Sequence, residues 1–269
     1  MKRFFCAVLL LTLSACATSP TGRSQLMLIS PEMAIEMSNE AYVQTLAPLQ
    51  KNGKVDADIK EVARVREITG RIIAQAIVLF PDSQEWEWSV KVIDDPETVN
   101  AWCMAGGKMA IYTGLLEEIA PTDDELAQVM GHEISHALAN HTAERMSVAL
   151  ATQAGLLGVS LAAGDSEYAG LAVSGSALAA TLALSLPNSR TAESEADAMG
   201  IELAARAGYN PQAAVTLWEK MEKNSDGGRL EFLSTHPSPA NRQEKLRQLA
   251  TEVMPYYQQN IARPVYPLK

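Results

Sequence analysis

Two histidines four residues apart, His132 and His136, stand either side of Glu133 in the run His132-Glu133-Ile134-Ser135-His136, inside a segment that carries its own helix-start signal. Thr122 and Glu125, just after Pro121, have the Thr-x-x-Glu spacing of a capping box. Asp123 and Asp124 fill the first turn, where the partial positive charge of a helix N-terminus favours anions. Leu126, Met130, Ile134 and Ala137 then recur along one stripe, the pattern of a helix packed into a core. Residues four apart share a helix face, so both imidazoles can aim a nitrogen at one ion. The fold must therefore supply a helix buried on one side that presents two rings beside that side, and a second element that closes the site.

Glu133 is rotated about 100° from His132 on such a helix, close enough to hold water on the ion but crowded as a ligand. Two imidazoles and a carboxylate base suit zinc-dependent hydrolysis, because zinc brings the pKa of its water to about 7 and polarises a carbonyl. The alternative is a chance match on a polar helix, which a chain with only 4 His makes rare. His141 would fall on the opposite side of a continuous helix, which reads as a partly buried or helix-terminal histidine. A second zinc pattern places its third histidine ten residues after the first. Thr142 stands there instead.

The third ligand should then be a carboxylate on another helix. After Pro187, Asn188 and Ser189 are good N-cap residues, and a helical run continues to about Ala207 before Gly208. Glu193 and Asp197 share one face of it, whereas Glu195 lies about 200° from Glu193. That phase assigns Glu193 to the ion and Asp197 to the second ring N–H of a ligating histidine. The alternative is a solvated acidic helix. Glu167 is a fallback ligand without a carboxylate partner four residues on.

The paired motifs, H-E-x-x-H and then Ser-Arg-x-x-Glu-x-Glu-Ala-Asp over Ser189 to Asp197, resemble the peptidase family that includes the HtpX-like heat-shock proteases and the CAAX prenyl proteases. Within it the chain is similar to small bacterial lipoprotein members, over roughly Glu85 to Arg247. The resemblance implies a zincin-like core, Glu193 as third zinc ligand and Glu133 as general base. It also implies that His236, in His236-Pro237, approaches the metal or steadies the transition-state oxyanion, and the second, catalytic role is the one expected. Arg242 matches an arginine that commonly follows that histidine.

The first fifteen residues read as a targeting segment: Lys2 and Arg3 before the apolar run Phe4 to Leu13, then Leu13-Ser14-Ala15-Cys16, which resembles a bacterial lipobox. Cleavage before Cys16 would leave an acylated cysteine, and two or more acyl chains anchor stably to a membrane. An ordinary secretory signal is the alternative. Ala17 after the cysteine, by resemblance to Gram-negative sorting, implies the periplasmic face of the outer membrane. Cys103 would then be alone in the mature chain, so no internal disulfide is expected and stability must come from the core. The net charge of −10 argues against nucleic acid or an anionic membrane surface as partner.

The expected organisation is a signal peptide over residues 1–15, a lipidated polar tether over 16–30, and one metallopeptidase domain over 31–269. The fold class is α+β, predominantly α-helical, with a small sheet beside the H-E-x-x-H helix. Helices are expected over Pro31 to Leu49 and Asp56 to Leu79. Trp86, Trp88, Val90 and Val92 alternate as in a half-buried strand, Met109 to Tyr112 forms a second, and Gly106-Gly107 marks a turn or close approach. Asn210-Pro211 opens a further helix, and Ser238-Pro239 is expected to start the last. Ala169 to Leu186 is uncharged but rich in small residues, which favours a packed helix over a membrane span. An extended substrate is expected to pair with an edge strand near Ala101, Met109 and Ile111. The functional expectation is a metalloendopeptidase holding one Zn2+ and acting on unfolded or misfolded envelope proteins. A binding or chaperone-like lipoprotein with a structural zinc, and a zinc hydrolase of cell-wall substrates, are the alternatives.

Overall fold

The computed structural model describes residues 16–163, 181, 188–224, 231–237 and 241–268. The expected signal peptide, the fallback ligand Glu167 and the apolar stretch 169–186, residue 181 excepted, lie outside the described residues. Among the described residues no helix is long and apolar enough to cross a membrane.

The chain opens with a short antiparallel pair, β1 (Cys16–Thr18) and β2 (Ser24–Leu26), in which Cys16 faces Leu26. The segment expected as a polar tether is thus a docked hairpin. Its polar side chains are used against the body, with Gln25 Nε2 donating to the carbonyl of Ala139 at 2.8 Å. Helix α1 (Pro31–Lys51) starts where Ser30 caps Met33 N–H and proline occupies the first turn. Helix α2 (Ile59–Leu79) starts at Asp58, whose carboxylate accepts from the N–H groups of Lys60 and Glu61. Val62, Val65, Ile68, Ile72 and Ile73 form its buried stripe, as their spacing predicts.

Three strands follow: β3 (Ser89–Ile93), β4 (Ala101–Met104) and β5 (Lys108–Tyr112). The order is β3-β5-β4, with β5 parallel to β3 and antiparallel to β4. Gly106 and Gly107 turn β4 into β5, both at φ 77°, and the Trp88 ring covers Gly107 too closely for any side chain there. This order corrects the expected substrate edge. Met109 and Ile111 belong to the central strand, where both backbone edges are paired, and only Ala101 lies on an outer strand.

Helix α3 (Asp123–Leu138) begins with the expected capping box: Thr122 Oγ1 accepts from Glu125 N–H, and the Glu125 carboxylate accepts from Thr122 N–H at 2.9 Å. Every residue from Glu125 to Leu138 is buried. Sequence phase predicts one buried side, but α2, β4 and a later helix enclose α3 from several directions, so the ligand side is covered too. The chain breaks at Asn140, in the left-handed region at φ 56°, and α4 (His141–Ala163) sets off in a new direction.

Helix α5 (Arg190–Arg206) is capped by Ser189, which accepts from Ala192 N–H, and ends before Gly208, as expected. It packs most extensively on α3. Helices α6 (Ala213–Asn224), α7 (Glu231–Thr235) and α8 (Arg242–Tyr257) complete the described body. The last helix runs from Arg242 after Asn241, and the expected helix start at Ser238-Pro239 lies outside the described residues. One large core joins α2, the sheet, α3, α5, α6 and α8. A smaller one holds α1 against the other face of the sheet.

Candidate metal centre

His132 and His136 project from α3 toward α5, which returns Glu193 between them. Their Nε2 atoms are 3.1 Å apart. Glu193 Oε2 lies 3.2 Å from His132 Nε2, and its Oε1 lies 3.3 Å from His136 Nε2. His236, held at the end of α7 where its N–H donates to the Phe232 carbonyl, brings Nδ1 to 3.2 Å from His132 Nε2 and 3.1 Å from Glu193 Oε1. These four buried side chains form a group whose ligating atoms all fall within 4.8 Å of one another.

The donor set fits a metal. Four ligands at about 2.0 Å from a tetrahedral zinc are about 3.3 Å from each other, and the separations above run from 3.1 to 3.3 Å. Glu193 Oε2 is buried without an aligned hydrogen bond, as is Oε1 of Glu133. Glu193 Oε2 has Arg242 Nη2 at 3.4 Å and His132 Nε2 at 3.2 Å, neither aligned as a hydrogen bond, so its lone pairs remain available to a cation. His236 therefore stands within the donor cluster. The role expected for it is at the transition state, whereas its Nδ1 sits among the candidate metal donors. Its Nε2 is also 3.3 Å from Glu133 Oε1.

Burial acts to lower the His132 pKa, but Glu193 and Asp197 outweigh it and raise it to about 9. Burial prevails at His136, whose pKa falls well below the usual value. Burial opposes ionisation of Glu193 as well, yet the three surrounding histidines hold its carboxyl well below the ordinary range. Glu133 is pushed upward, chiefly by burial, toward the range useful to a general base.

The supporting contacts follow the expected helical phase. Asp197 Oδ1 is 3.0 Å from His132 Nδ1 and accepts from Arg242 Nη2 at 2.7 Å. Asp197 thus takes the second ring N–H of His132 and leaves Nε2 to face the cluster. The Arg242 guanidinium is fixed in turn over the Trp218 ring, 3.4 Å from its centroid.

Two neighbours were not assigned from the sequence. His141 is buried, and its Nδ1 lies 2.7 Å from His136 Nδ1. Phase extrapolated along a continuous helix puts it on the far side, but the left-handed residue at Asn140 ends the helix and turns it back. Asn140 itself was the available signal, since asparagine favours that position after a helix end. Asn188, an expected N-cap candidate, leaves the cap to Ser189. Its Nδ2 lies 3.5 Å from His136 Nε2 and 3.4 Å from His236 Nδ1.

A buried His/His/Glu/His cluster with an adjacent carboxylate, its first three members on two helices in this order and the fourth at the end of a third, is a metallopeptidase type of centre. The chain matches the sequence model of peptidase family M48 over residues 60–250, and it belongs to that family. It is 32% identical to the mitochondrial metalloendopeptidase OMA1 of Bos taurus over 242 residues, which are 87% of this chain and 46% of the bovine protein. It is 39% identical to the mitochondrial metalloendopeptidase OMA1 of Arabidopsis thaliana over 161 residues, 60% of this chain and 31% of the plant protein. Identity to the Beta-barrel assembly-enhancing protease of Escherichia coli K12 is 33% over 165 residues, 59% of this chain and 34% of that protein. The chain spans about half the length of these relatives or less.

Proposed function

We propose that this chain is a zinc-dependent metalloendopeptidase acting on unfolded or misassembled envelope proteins, held by a lipid anchor at Cys16 on the periplasmic side of an outer membrane. The observation that carries the reading is the Glu133 carboxylate, raised in pKa by burial and without an aligned donor, beside a donor cluster of zinc dimensions. His132, His136 and Glu193 would hold the ion. Bound there, zinc supplies Lewis acidity, which polarises a scissile carbonyl and makes water a usable nucleophile near neutral pH. Glu133 removes the proton from the attacking water and passes it to the leaving amine. β4, the outer strand packed on α3, is the place where an extended substrate backbone pairs, and extended pairing favours unfolded segments. The Escherichia coli relative is named for enhancing β-barrel assembly, which supports an envelope setting. The lipobox-like residues support the anchor.

One observation favours a second reading. Four protein donors make the closed shell of a structural site, whereas catalytic sites keep a position open. Glu133 counts against it, since a structural site needs no base. On the first reading His236 yields its place when substrate enters. The test is peptide release from unfolded casein, run beside fragment release from purified peptidoglycan. Casein cleavage that stops with a chelator and returns with zinc supports the endopeptidase. Cleavage of peptidoglycan alone, or of neither, refutes it.

A further inference from the structure

The second metal histidine is held by a relay that ends in the N-terminal hairpin. His136 Nδ1 meets His141 Nδ1 at 2.7 Å, and His141 Nε2 meets Glu195 Oε2 at 3.1 Å. Glu195 then accepts from two hairpin residues: Thr21 Oγ1 at 2.6 Å and Arg23 Nε at 2.9 Å. The other side of the Arg23 guanidinium is clamped by both oxygens of Glu144 on α4, each at 2.6 Å. Glu195 and His141 are buried, and Glu195 leaves the metal cluster to Glu193, as its helical phase predicts.

Ligation through His136 Nε2 sets the hydrogen-bond direction along this chain, because its Nδ1 then carries the proton and donates to His141 Nδ1. His141, accepting at Nδ1, donates from Nε2 to the Glu195 carboxylate. His136 Nε2 is then the lone-pair nitrogen, and it is the one that faces Glu193 and His132. His132 reaches the same state through Asp197 directly. The two ligands are thus oriented by two carboxylates, one in contact and one through an intervening ring. Arg23 and Thr21, each bonded to one of its oxygens, hold the distant carboxylate in place.

We propose that Arg23 and Thr21 are positioning residues for the metal centre, acting through Glu195 and His141 to hold His136 in its ligating tautomer. The site is therefore incomplete without the hairpin, although the family match begins only at residue 60. The proposal rests on zinc binding by the cluster, and the experiment separates the two.

The full chain is titrated with zinc against a competing chelator, as wild type, Arg23→Gln, His141→Phe and the double variant, with folding checked by circular dichroism. Removing an outer hydrogen-bond partner of a zinc histidine weakens affinity about ten- to a hundredfold. His141→Phe should fall in that range and Arg23→Gln near its lower end. The double variant should bind no more weakly than His141→Phe alone, because Arg23 acts through that ring. Arg23→Lys, which keeps a charge beside Glu195, should recover most of the affinity. Should His141→Phe fail to fold, Arg23→Gln and Arg23→Lys decide the matter, since Arg23 is partly exposed. Wild-type affinity in Arg23→Gln, or additive losses in the double variant, would overturn the relay while leaving the metal centre intact. A wild-type chain that binds no zinc would overturn both.

Discussion

Helices α3 and α5 cross at a pair of glycines, Gly131 and Gly200, immediately beside His132, one of the candidate metal ligands. A Cβ on Gly200 would lie 2.7 Å from His132 N, 2.8 Å from Gly131 C and 2.9 Å from His132 Cα, and a Cβ on Gly131 would lie 2.7 Å from the Gly200 carbonyl oxygen. All of these are backbone atoms, which no rotamer change can clear. Ordinary contacts begin near 3.5 Å, so Gly200→Ala must part the two helices by about 0.8 Å. The energetic cost is partly hidden: overpacking costs about 1–3 kcal/mol, while alanine in a helix interior gains about 1 kcal/mol over glycine, so net destabilisation stays below about 2 kcal/mol. The functional cost should be larger. Glu193 rides on one helix and both ligating histidines on the other, so the same displacement opens the donor cluster, and misplacement by about 1 Å costs about a hundredfold in turnover. The assay measures kcat/KM on an unfolded peptide substrate and zinc affinity, with thermal unfolding as the control for folding. A Gly200→Ala protein that is folded, with wild-type kcat/KM and zinc affinity, would refute the claim that close helix approach sets the metal geometry.

Asp197→Asn should weaken zinc affinity about ten- to a hundredfold, because the amide no longer matches the N–H of His132 and the guanidinium of Arg242 together; chelator competition measures it. At Glu125, burial favours the neutral acid but is outweighed by Lys220, Thr122 and Thr216, so its carboxyl sits below its ordinary value of 4.5. A depressed carboxyl stabilises the fold above that value and loses the contribution as pH falls through the lowered pKa, so Glu125→Gln should reduce denaturant stability at neutral pH and matter little under strong acid. An equal loss at both extremes would contradict that sign. Cys16→Ser should abolish incorporation of a palmitate analogue and release the protein from the membrane fraction; label that persists in the variant would refute the anchor.

Much of the centre was legible because it is local. The capping box at Thr122 and Glu125 and the four-residue spacings of His132 with His136, and of Glu193 with Asp197, each lie within one helix. There, phase alone decides which residues meet. What escaped was set by breaks and by distant partners. His141 was misplaced because one left-handed residue, Asn140, resets the helical phase. Met109 and Ile111 were assigned to a substrate edge because strand order is a tertiary property, and alternation looks the same in a central strand as in an outer one. Burial of α3 on all sides was likewise invisible, since the surfaces that cover its polar face come from α5 and the sheet. The hairpin over residues 16–26 read as a tether because its polar residues resemble solvated ones, and only the fold shows Arg23 meeting Glu195 and Glu144.

The central claim is that ligation and proton transfer are divided between different residues of one centre. Zinc content and casein digestion, measured together on wild type, Glu133→Gln and Glu193→Ala, test that division most directly. Wild type should carry about one zinc per chain and digest casein, Glu133→Gln should keep its zinc and digest nothing, and Glu193→Ala should lose both. Digestion by Glu133→Gln at the wild-type rate, or full zinc retention by Glu193→Ala, would contradict it.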